Sequence, residues 1–399
     1  MRKWLNISVI LILLMPCISR AQFDSISNYD FWTDLSDVEF LNDSVGFVVG
    51  SVGLTARAII LKTIDGGQNW DTVFGPNKKG SFKNISFATD SVGFVCGSVE
   101  IALPEPVGIY RTFDQGETWE YCGDSVTFGV TFDVVEFNSN GVGIASGTTG
   151  VGTFISYNWG NDWTDISMTG PVIAGGVFAF NQGQFIDDTT FYSCALGGLL
   201  TGNAYTYNWD AHITDPYLML DLNFISDQQG YFGGYVDDVT FPYGTFGATS
   251  NGGLTWDYQT FQVDTLYHIN TIEVLQDSIL FLCGQLKQVL KSTDSGANWA
   301  RIPRTNNWPV LPNFSAMSCP SDSVCYAVGP SGLIFKLTNG QDYVSSVSEI
   351  TAKLDFKLYP SPTSDLIHLE LENSQGSLYN VSVSDIQGRV ILNEEFYSS

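Results

Sequence analysis

The 399-residue chain is poor in the residues that build metal sites and nucleic-acid surfaces. It has only three histidines, His212, His268 and His368, and its cysteines do not fall at the close doubled spacing of zinc sites. We therefore expect neither a metal nor a cofactor. Lysine and arginine number 17 against 42 aspartates and glutamates, which gives a net charge of −25. Phosphate repels such a protein at long range, so we expect no nucleic-acid partner.

Catalytic motifs and, beyond the N-terminus, long apolar runs are also missing. The sequence contains no glycine-rich phosphate loop, serine nucleophile elbow or metal-binding helix. One apolar run, residues 7–15, follows Arg2 and Lys3 and precedes a small-residue site at residues 19–21. This order is typical of a secretory signal peptide. We predict that residues 1–21 are cleaved and that the mature chain has no transmembrane segment.

Six cysteines remain after that cleavage, an even number that permits disulfides in an oxidising compartment. Cys319 and Cys325 bracket a turn-like segment that can bring neighbouring strands into bridging range, so we predict a disulfide between them. Cys96 and Cys283 lie in apolar runs and are expected to be buried, unpaired core residues.

The residues that are abundant favour an all-β fold. Glycine occurs 40 times and aromatic residues make up 14% of the chain, which suits many short strands better than helices. One sequence signature is an apolar strand that ends in glycine. Its seven copies begin at Val45, Val92, Val142, Phe191, Gly230, Ile279 and Val324.

A second signature, Ser/Thr-x-Asp/Asn-x-Gly-x-x-Trp, alternates with the first and recurs every 43 to 50 residues or about one propeller blade. We expect the Asp or Asn to accept backbone hydrogen bonds and the glycine to adopt positive φ, which makes a rigid hairpin. The Trp then packs against a sheet. The five intact copies contain Asp65 and Trp70, Asp114 and Trp119, Asn158 and Trp163, Asn251 and Trp256, and Asp294 and Trp299.

Two further copies of this signature are degraded. A shortened copy covers residues 339–343. The other copy is aligned as Thr206, Asn208, Asp210 and Ile213. Both signatures therefore predict seven blades, and we expect ring closure to use residues 28–35 as a partner for the last blade.

These residues resemble the Asp-box or BNR repeat, and the sequence VGFVVG…KTIDGGQNW is similar to the propeller family of the photosystem II assembly and stability factor. The likeness implies an all-β, seven-bladed β-propeller over residues 22–346. In it, the glycine-ending strands would be inner strands that neighbouring blades cover on both faces. The same box occurs in sialidases, xyloglucanases, sortilin-type receptors and non-enzymatic assembly factors, so it implies a fold and leaves the function open.

A different module follows the repeat. A serine-containing linker, residues 347–353, leads to residues 354–399, where Tyr359-Pro360 opens a strand and Asp385 to Gly388 form a hairpin turn. This order resembles the type A sorting domain of the type IX secretion system. It implies a partial small β-sandwich, the type IX secretion machinery as a partner, and a source among the Bacteroidota. That family normally continues with two more strands, so we expect this copy to be truncated.

The predicted function is binding without catalysis. The repeated box carboxylates are assigned to turns, so no catalytic residue is proposed. We expect a monomeric, secreted propeller, released or attached to the bacterial cell surface, that binds a protein or a glycan there. Variable loops opposite the boxes carry function by default. The candidate ligand-binding residues on them are Lys78, Lys79, Asp237, Asp238, Tyr243, Arg304 and Trp308.

Two alternatives stay open: a secreted glycoside hydrolase and a structural adhesion component. A sialidase is disfavoured, because it needs three arginines that converge on a carboxylate. In sialidases the arginine motif precedes the first Asp-box, whereas in this chain Arg301-Ile302-Pro303 follows the last intact Asp-box.

Overall fold

The computed structural model describes most of the propeller and parts of the C-terminal module. The described residues are 33–98, 108–123, 127, 130–147, 152–167, 182–195, 198–213, 217–236, 243–261, 268–275, 278–285, 289–302, 313–338, 342–346, 356–359, 368–371, 378–384 and 390–397. They form strands and no α-helix, as the composition predicts. No helix among them is long or apolar enough to span a membrane.

Seven four-stranded antiparallel sheets follow one another along the chain, which confirms the predicted seven-bladed β-propeller. The first three blades are β1 Asp34–Phe40, β2 Gly46–Val52, β3 Arg57–Thr63 and β4 Asp71–Phe74; β5 Phe82–Phe87, β6 Gly93–Gly97, β7 Ile109–Thr112 and β8 Glu120–Tyr121; and β9 Val134–Phe137, β10 Gly143–Gly147, β11 Gly152–Ser156 and β12 Thr164–Asp165.

The remaining four blades have the same strand order. They are β13 Gln182–Phe185, β14 Thr190–Ala195, β15 Gly198–Asn203 and β16 Asn208–Ile213; β17 Tyr217–Phe224, β18 Gly230–Val236, β19 Tyr243–Thr249 and β20 Asp257–Thr260; β21 Ile269–Leu275, β22 Ile279–Gly284, β23 Val289–Ser292 and β24 Ala300–Arg301; and β25 Ala316–Ser321, β26 Val324–Gly329, β27 Leu333–Thr338 and β28 Asp342–Ser346.

The glycine-ending strands are the second strands of their blades, inside each four-stranded sheet. β2, β6 and β10 are buried along their whole length, because first and third strands flank them within the sheet and neighbouring blades cover both faces. The first strands lie further in and line a central cavity. The second strand of a blade is thus the apolar one, and the first strand forms the blade's inner edge.

Close Phe–Gly pairs join the first and second strands. Phe40 pairs with Gly46, and a Cβ on that glycine would lie 2.4 Å from the ring. The pair recurs as Phe137 with Gly143. In the last blade a disulfide between Cys319 and Cys325 joins the same two strands.

Ring closure is described in part, because residues 28–32 of the expected closing segment lie outside the described residues. Leu35 belongs to β1 of the first blade, and the last blade takes its four described strands from residues 316–346. Asp34 forms an isolated bridge with Pro330, and Thr33 O accepts a hydrogen bond from Gly332 N at 2.8 Å. Side chains add to this contact, since the Phe40 ring stacks on Tyr326 with 3.5 Å between ring centroids.

The chain divides into two compact units, Met1–Val347 and Ser348–Ser399. In the second unit, β29 Phe356–Tyr359 pairs with β30 His368–Leu371, and β31 Leu378–Ser384 pairs with β32 Val390–Tyr397. The predicted signal peptide at residues 1–21 and the linker at 347–353 lie outside the described residues.

Candidate functional site

The Asp-box is a self-contained hydrogen-bonded turn. In the second blade the Asp114 carboxylate accepts hydrogen bonds from Thr118 N at 2.9 Å and from Thr112 Oγ1 at 2.8 Å, and Gly116 N donates to Thr112 Oγ1 at 2.9 Å. The bonds from the backbone recur in all five intact boxes, with Asn158 and Asn251 in place of aspartate. Gly116 has φ 76°, where a side chain is strained. The Asp-box carboxylates therefore have a structural role in these turns.

Each intact box is also tied to the turn between the first and second strands of its blade. Gly66 N, for example, donates to Ser44 O at 2.9 Å, and Gln115 N donates to Ser91 O at 3.0 Å. We call the face with these turns the box face. The loops between second and third strands and the connections between blades lie on the opposite side, which we call the loop face.

Cations on third strands join neighbouring blades through the boxes. Lys62 Nζ donates to Gln115 O of the next box at 2.8 Å, and Arg111 Nη1 donates to Trp159 O at 2.6 Å. Arg111 also forms an ion pair with Glu120 at 2.8 Å. Lys62 and Arg111 are thus both engaged in structural contacts between blades.

The fourth blade has an ordinary hairpin instead of a degraded box, so the alignment of Thr206, Asn208, Asp210 and Ile213 is wrong. Asn203 pairs with Asn208 across the turn, and the Asn203 side chain accepts hydrogen bonds from Tyr205 N and Thr206 N at 3.0 Å. The buried aromatic partner is Trp209, which packs edge-on against Phe191. Of the seventh copy, residues 339–341 lie outside the described residues, and Asp342 pairs with Thr338.

Three of the predicted loop residues, Lys78, Lys79 and Tyr243, are described, and they belong to different blades. Lys78 lies over the rings of Phe74 and Tyr110, with its Nζ 3.2 Å from the Tyr110 hydroxyl. Lys79 and Arg57 form an isolated antiparallel β-bridge through their backbones. Both lysines follow the first blade, whereas Tyr243 begins β19 in the fifth. Asp237, Asp238, Arg304 and Trp308 lie outside the described residues, so their predicted roles stay untested.

A central cavity of about 510 Å³ is the feature to which all seven blades contribute. Polar side chains from the first strands lie along it at two levels. The ring nearer the loop face contains Asp37, Asn84, Gln182, Asp221 and Thr271. The ring nearer the box face contains Glu39, Ser86, Glu136, Gln184, Asn223, Glu273 and Ser318.

Some of these side chains connect the first strands to one another. Asp37 accepts hydrogen bonds from Ile85 N at 2.9 Å and from Asn84 Nδ2 at 3.0 Å. Asp221 likewise accepts from Ile272 N in the next blade at 2.9 Å. The innermost strand of a sheet has unpaired N–H groups on its free edge, and burial without an acceptor is costly. The loop-face ring therefore has a structural role.

The box-face ring has a different character. Burial raises the pKa of Glu136 to about 8 and raises the pKa values of Glu39 and Glu273 well above the ordinary range. The negative charge of Glu136 adds to the shift of Glu39. Burial also raises the pKa of Asp221 to about 7 and that of Asp37 to about 6, although backbone hydrogen bonds oppose both shifts. The cavity therefore changes its charge near neutral pH.

Sequence reasoning missed this site. Asp133 also lines the cavity, and Lys83 is the only cation among its lining residues. These carboxylates come from short strands in which polar and apolar residues alternate as in any half-buried strand. The available signal was the position of Asp37, Glu39, Glu136 and Asp221 one or three residues before a phenylalanine that precedes a glycine-ending strand. Glu273 precedes Val274 instead, so this signal is incomplete. In the described part of the chain, no group of acidic, histidine or cysteine residues is arranged to hold a metal ion.

The family model of the photosynthesis system II assembly factor YCF48 matches residues 202–386, a little under half of the chain. The chain is similar to YCF48. No protein of curated function matches it.

Solved structures show the same fold. YCF48 bound to a D1 peptide has a TM-score of 0.58 at 16% identity and covers 78% of this chain and 94% of its own. YCF48 from Cyanidioschyzon merolae has a TM-score of 0.54 at 16% identity, with coverage of 77% and 95%. The C-terminal WD40 domain of Sif2 reaches 0.51 at 9% identity, with coverage of 80% and 88%. At these identities the likeness is one of fold.

Proposed function

We propose that this chain is a non-catalytic β-propeller that binds a segment of a protein partner at the mouth of its central cavity. The observation that carries this proposal is the cavity itself, which all seven first strands line with polar groups. Its volume of about 510 Å³ lies within the range of ligand sites and suits a short peptide segment rather than a folded domain.

Two further observations support a protein ligand. The box face is built of turns whose polar groups are used internally, which favours the loop face and cavity mouth for recognition. A structure of the same fold is YCF48 bound to a D1 peptide, so a propeller of this kind can accommodate a peptide. A glycan is the other ligand class to test, because Tyr235 and His268 stack with 3.9 Å between ring centroids near the loop face.

A glycoside hydrolase is the second candidate, and the raised pKa of Glu136 favours it. A carboxyl group that stays protonated near pH 7 can act as a general acid opposite an ionised carboxylate. Binding is preferred over hydrolysis because Asp37 and Asp221 already accept backbone hydrogen bonds from neighbouring blades. The hydrogen bonds of these two aspartates are sufficient to explain them as structural residues.

We also propose that the protein is exported and reaches the cell surface. Residues 1–21 have the order of a signal peptide, and residues 354–399 have the order of a type IX sorting domain. The test is fractionation of a strain that has this secretion system and expresses the chain with or without residues 354–399. We expect the intact chain outside the outer membrane and the shortened chain in the periplasm. Equal distribution of both would contradict the sorting role.

The binding proposal is tested by screening the purified chain against a random heptapeptide display library, a glycan array and a panel of polysaccharides. We expect enrichment of peptides, and no release of reducing sugar. Turnover of a polysaccharide that is lost in Glu136→Gln would establish the hydrolase instead. Retention of glycans without peptides would replace the protein ligand with a glycan.

A further inference from the structure

The central cavity is lined by more acidic side chains than basic ones. Six of its lining residues are aspartates or glutamates, and Lys83 is the only cation among the described residues that line it. The acidic groups come from four blades: Asp37 and Glu39 from the first, Asp133 and Glu136 from the third, Asp221 from the fifth and Glu273 from the sixth. β13 and β25 contribute only uncharged groups to the lining.

Two buried oxygen atoms of the box-face ring lack a hydrogen-bond partner among the described residues. Ser86 is only 5% exposed, and its Oγ has no hydrogen-bond partner in the described structure. Glu39 Oε2 is buried and unpartnered in the same way, although Oε1 accepts from Phe87 N at 3.2 Å. Ser86 lies near Glu136 and lowers the pKa of that carboxyl, but the two make no hydrogen bond of ordinary geometry. Buried polar groups are costly when unpaired, so an entering donor would gain both contacts.

We infer that the cavity receives a basic side chain, the guanidinium of an arginine or the ammonium of a lysine, from the peptide segment of the partner. This inference rests on the proposed peptide binding and names the chemistry of the ligand. The carboxylates are spread around the cavity instead of forming a compact metal site. A long side chain with several donors fits that spread, because it can reach the box-face ring while its backbone stays at the mouth.

Proton release should accompany binding. Burial raises the pKa values of Asp37, Glu39, Glu136, Asp221 and Glu273. A cation beside them favours their ionised forms, so binding displaces protons. Affinity for a basic peptide is therefore expected to rise between pH 6 and pH 8.

The experiment uses the heptapeptide library and the full purified chain. We expect arginine or lysine to be enriched at one position of the selected peptides. The selected peptide should bind about tenfold or more weakly to the variant E39Q/E136Q/E273Q and to a peptide with glutamine at that position. The matched control, D71N/D90N/D257N, also replaces three acidic side chains with their amides, at exposed positions outside the cavity, and should bind normally. Far-UV circular dichroism and the melting temperature check that each variant is folded.

The outcomes separate the two proposals. Peptides selected without a basic preference, which bind E39Q/E136Q/E273Q as well as the unchanged chain, would overturn the cation inference and keep peptide binding. Failure to select any peptide, together with binding of spermidine that E39Q/E136Q/E273Q loses, would support a cation site and overturn the peptide partner. Absence of both kinds of binding would overturn both.

Discussion

Lys336 Nζ in the last blade donates a 2.8 Å hydrogen bond to the carbonyl oxygen of Gly66 in the first Asp-box. The Tyr326 hydroxyl donates to the same oxygen at 2.9 Å. Gly66 thus accepts two hydrogen bonds across the junction where the chain closes on itself. These side-chain contacts, together with the backbone contacts of Thr33 and Asp34 to the last blade, hold the first and last blades together.

The first prediction concerns this junction. Lys336→Met removes one of the two donors and leaves the aliphatic packing largely in place, so we expect the free energy of unfolding to fall by about 1 kcal/mol. Urea denaturation measures it. Lys336→Arg supplies a donor of similar reach and should recover most of the loss. Equal destabilisation by both substitutions would show that the hydrogen bond is not the cause.

The second prediction concerns the Phe–Gly pairs. In Gly93→Ala the new Cβ would lie 2.7 Å from the Phe87 ring, so the ring must move within a packed core. We expect a loss of about 1–3 kcal/mol in the free energy of unfolding. The double variant G93A/F87L relieves the clash, so its cost should be smaller than the sum of the two single costs. Additive costs would contradict a direct clash.

The third prediction concerns the Asp-box in acid. Burial is the largest single effect on Asp114 and raises its pKa, but the hydrogen bonds from Thr118 and Thr112 together outweigh it and lower the pKa to about 2. A carboxyl whose folded pKa is lowered stabilises the fold above its unfolded pKa, and that contribution is lost as pH falls toward 2. Asp114→Asn keeps the acceptor, as Asn158 does in the third blade. We expect this variant to lose less stability than the unchanged chain between pH 4 and pH 2, measured by urea denaturation.

The sequence was a good guide to the blades and a poor one to the site. Asp65, Asp114 and Asp294 repeat with their turn residues, and local hydrogen bonding fixes their structure, so a short window predicts it. Glu39, Glu136 and Glu273 line the same cavity only because seven blades close a ring. Their neighbours at the same level are Ser86, Gln184, Asn223 and Ser318. No single repeat shows that pattern, and the fourth blade replaces the box with a different hairpin.

The fourth prediction concerns the cavity carboxylates, whose effect on the pH dependence of stability is opposite to that of Asp114. Burial raises the pKa of Glu136 to about 8, so the folded state holds a proton that the unfolded chain releases near pH 4 to 5. Stability therefore declines as pH rises from about 5 to about 8. Glu136→Gln removes that titration, and its melting temperature should exceed that of the unchanged chain by more at pH 8 than at pH 5. A constant difference would show that Glu136 is ionised in the fold.

The central claim is that the cavity mouth is the binding site. Ser36 lies in β1 on the loop-face side of the two rings and lines the cavity. Ser36→Trp should obstruct the mouth, whereas Asp71→Trp places the same ring on an exposed outer strand. The decisive measurement is the affinity of a library-selected peptide for these two folded variants, by isothermal titration calorimetry. The account predicts that Ser36→Trp loses binding and Asp71→Trp keeps it. Unchanged affinity in Ser36→Trp would contradict the account.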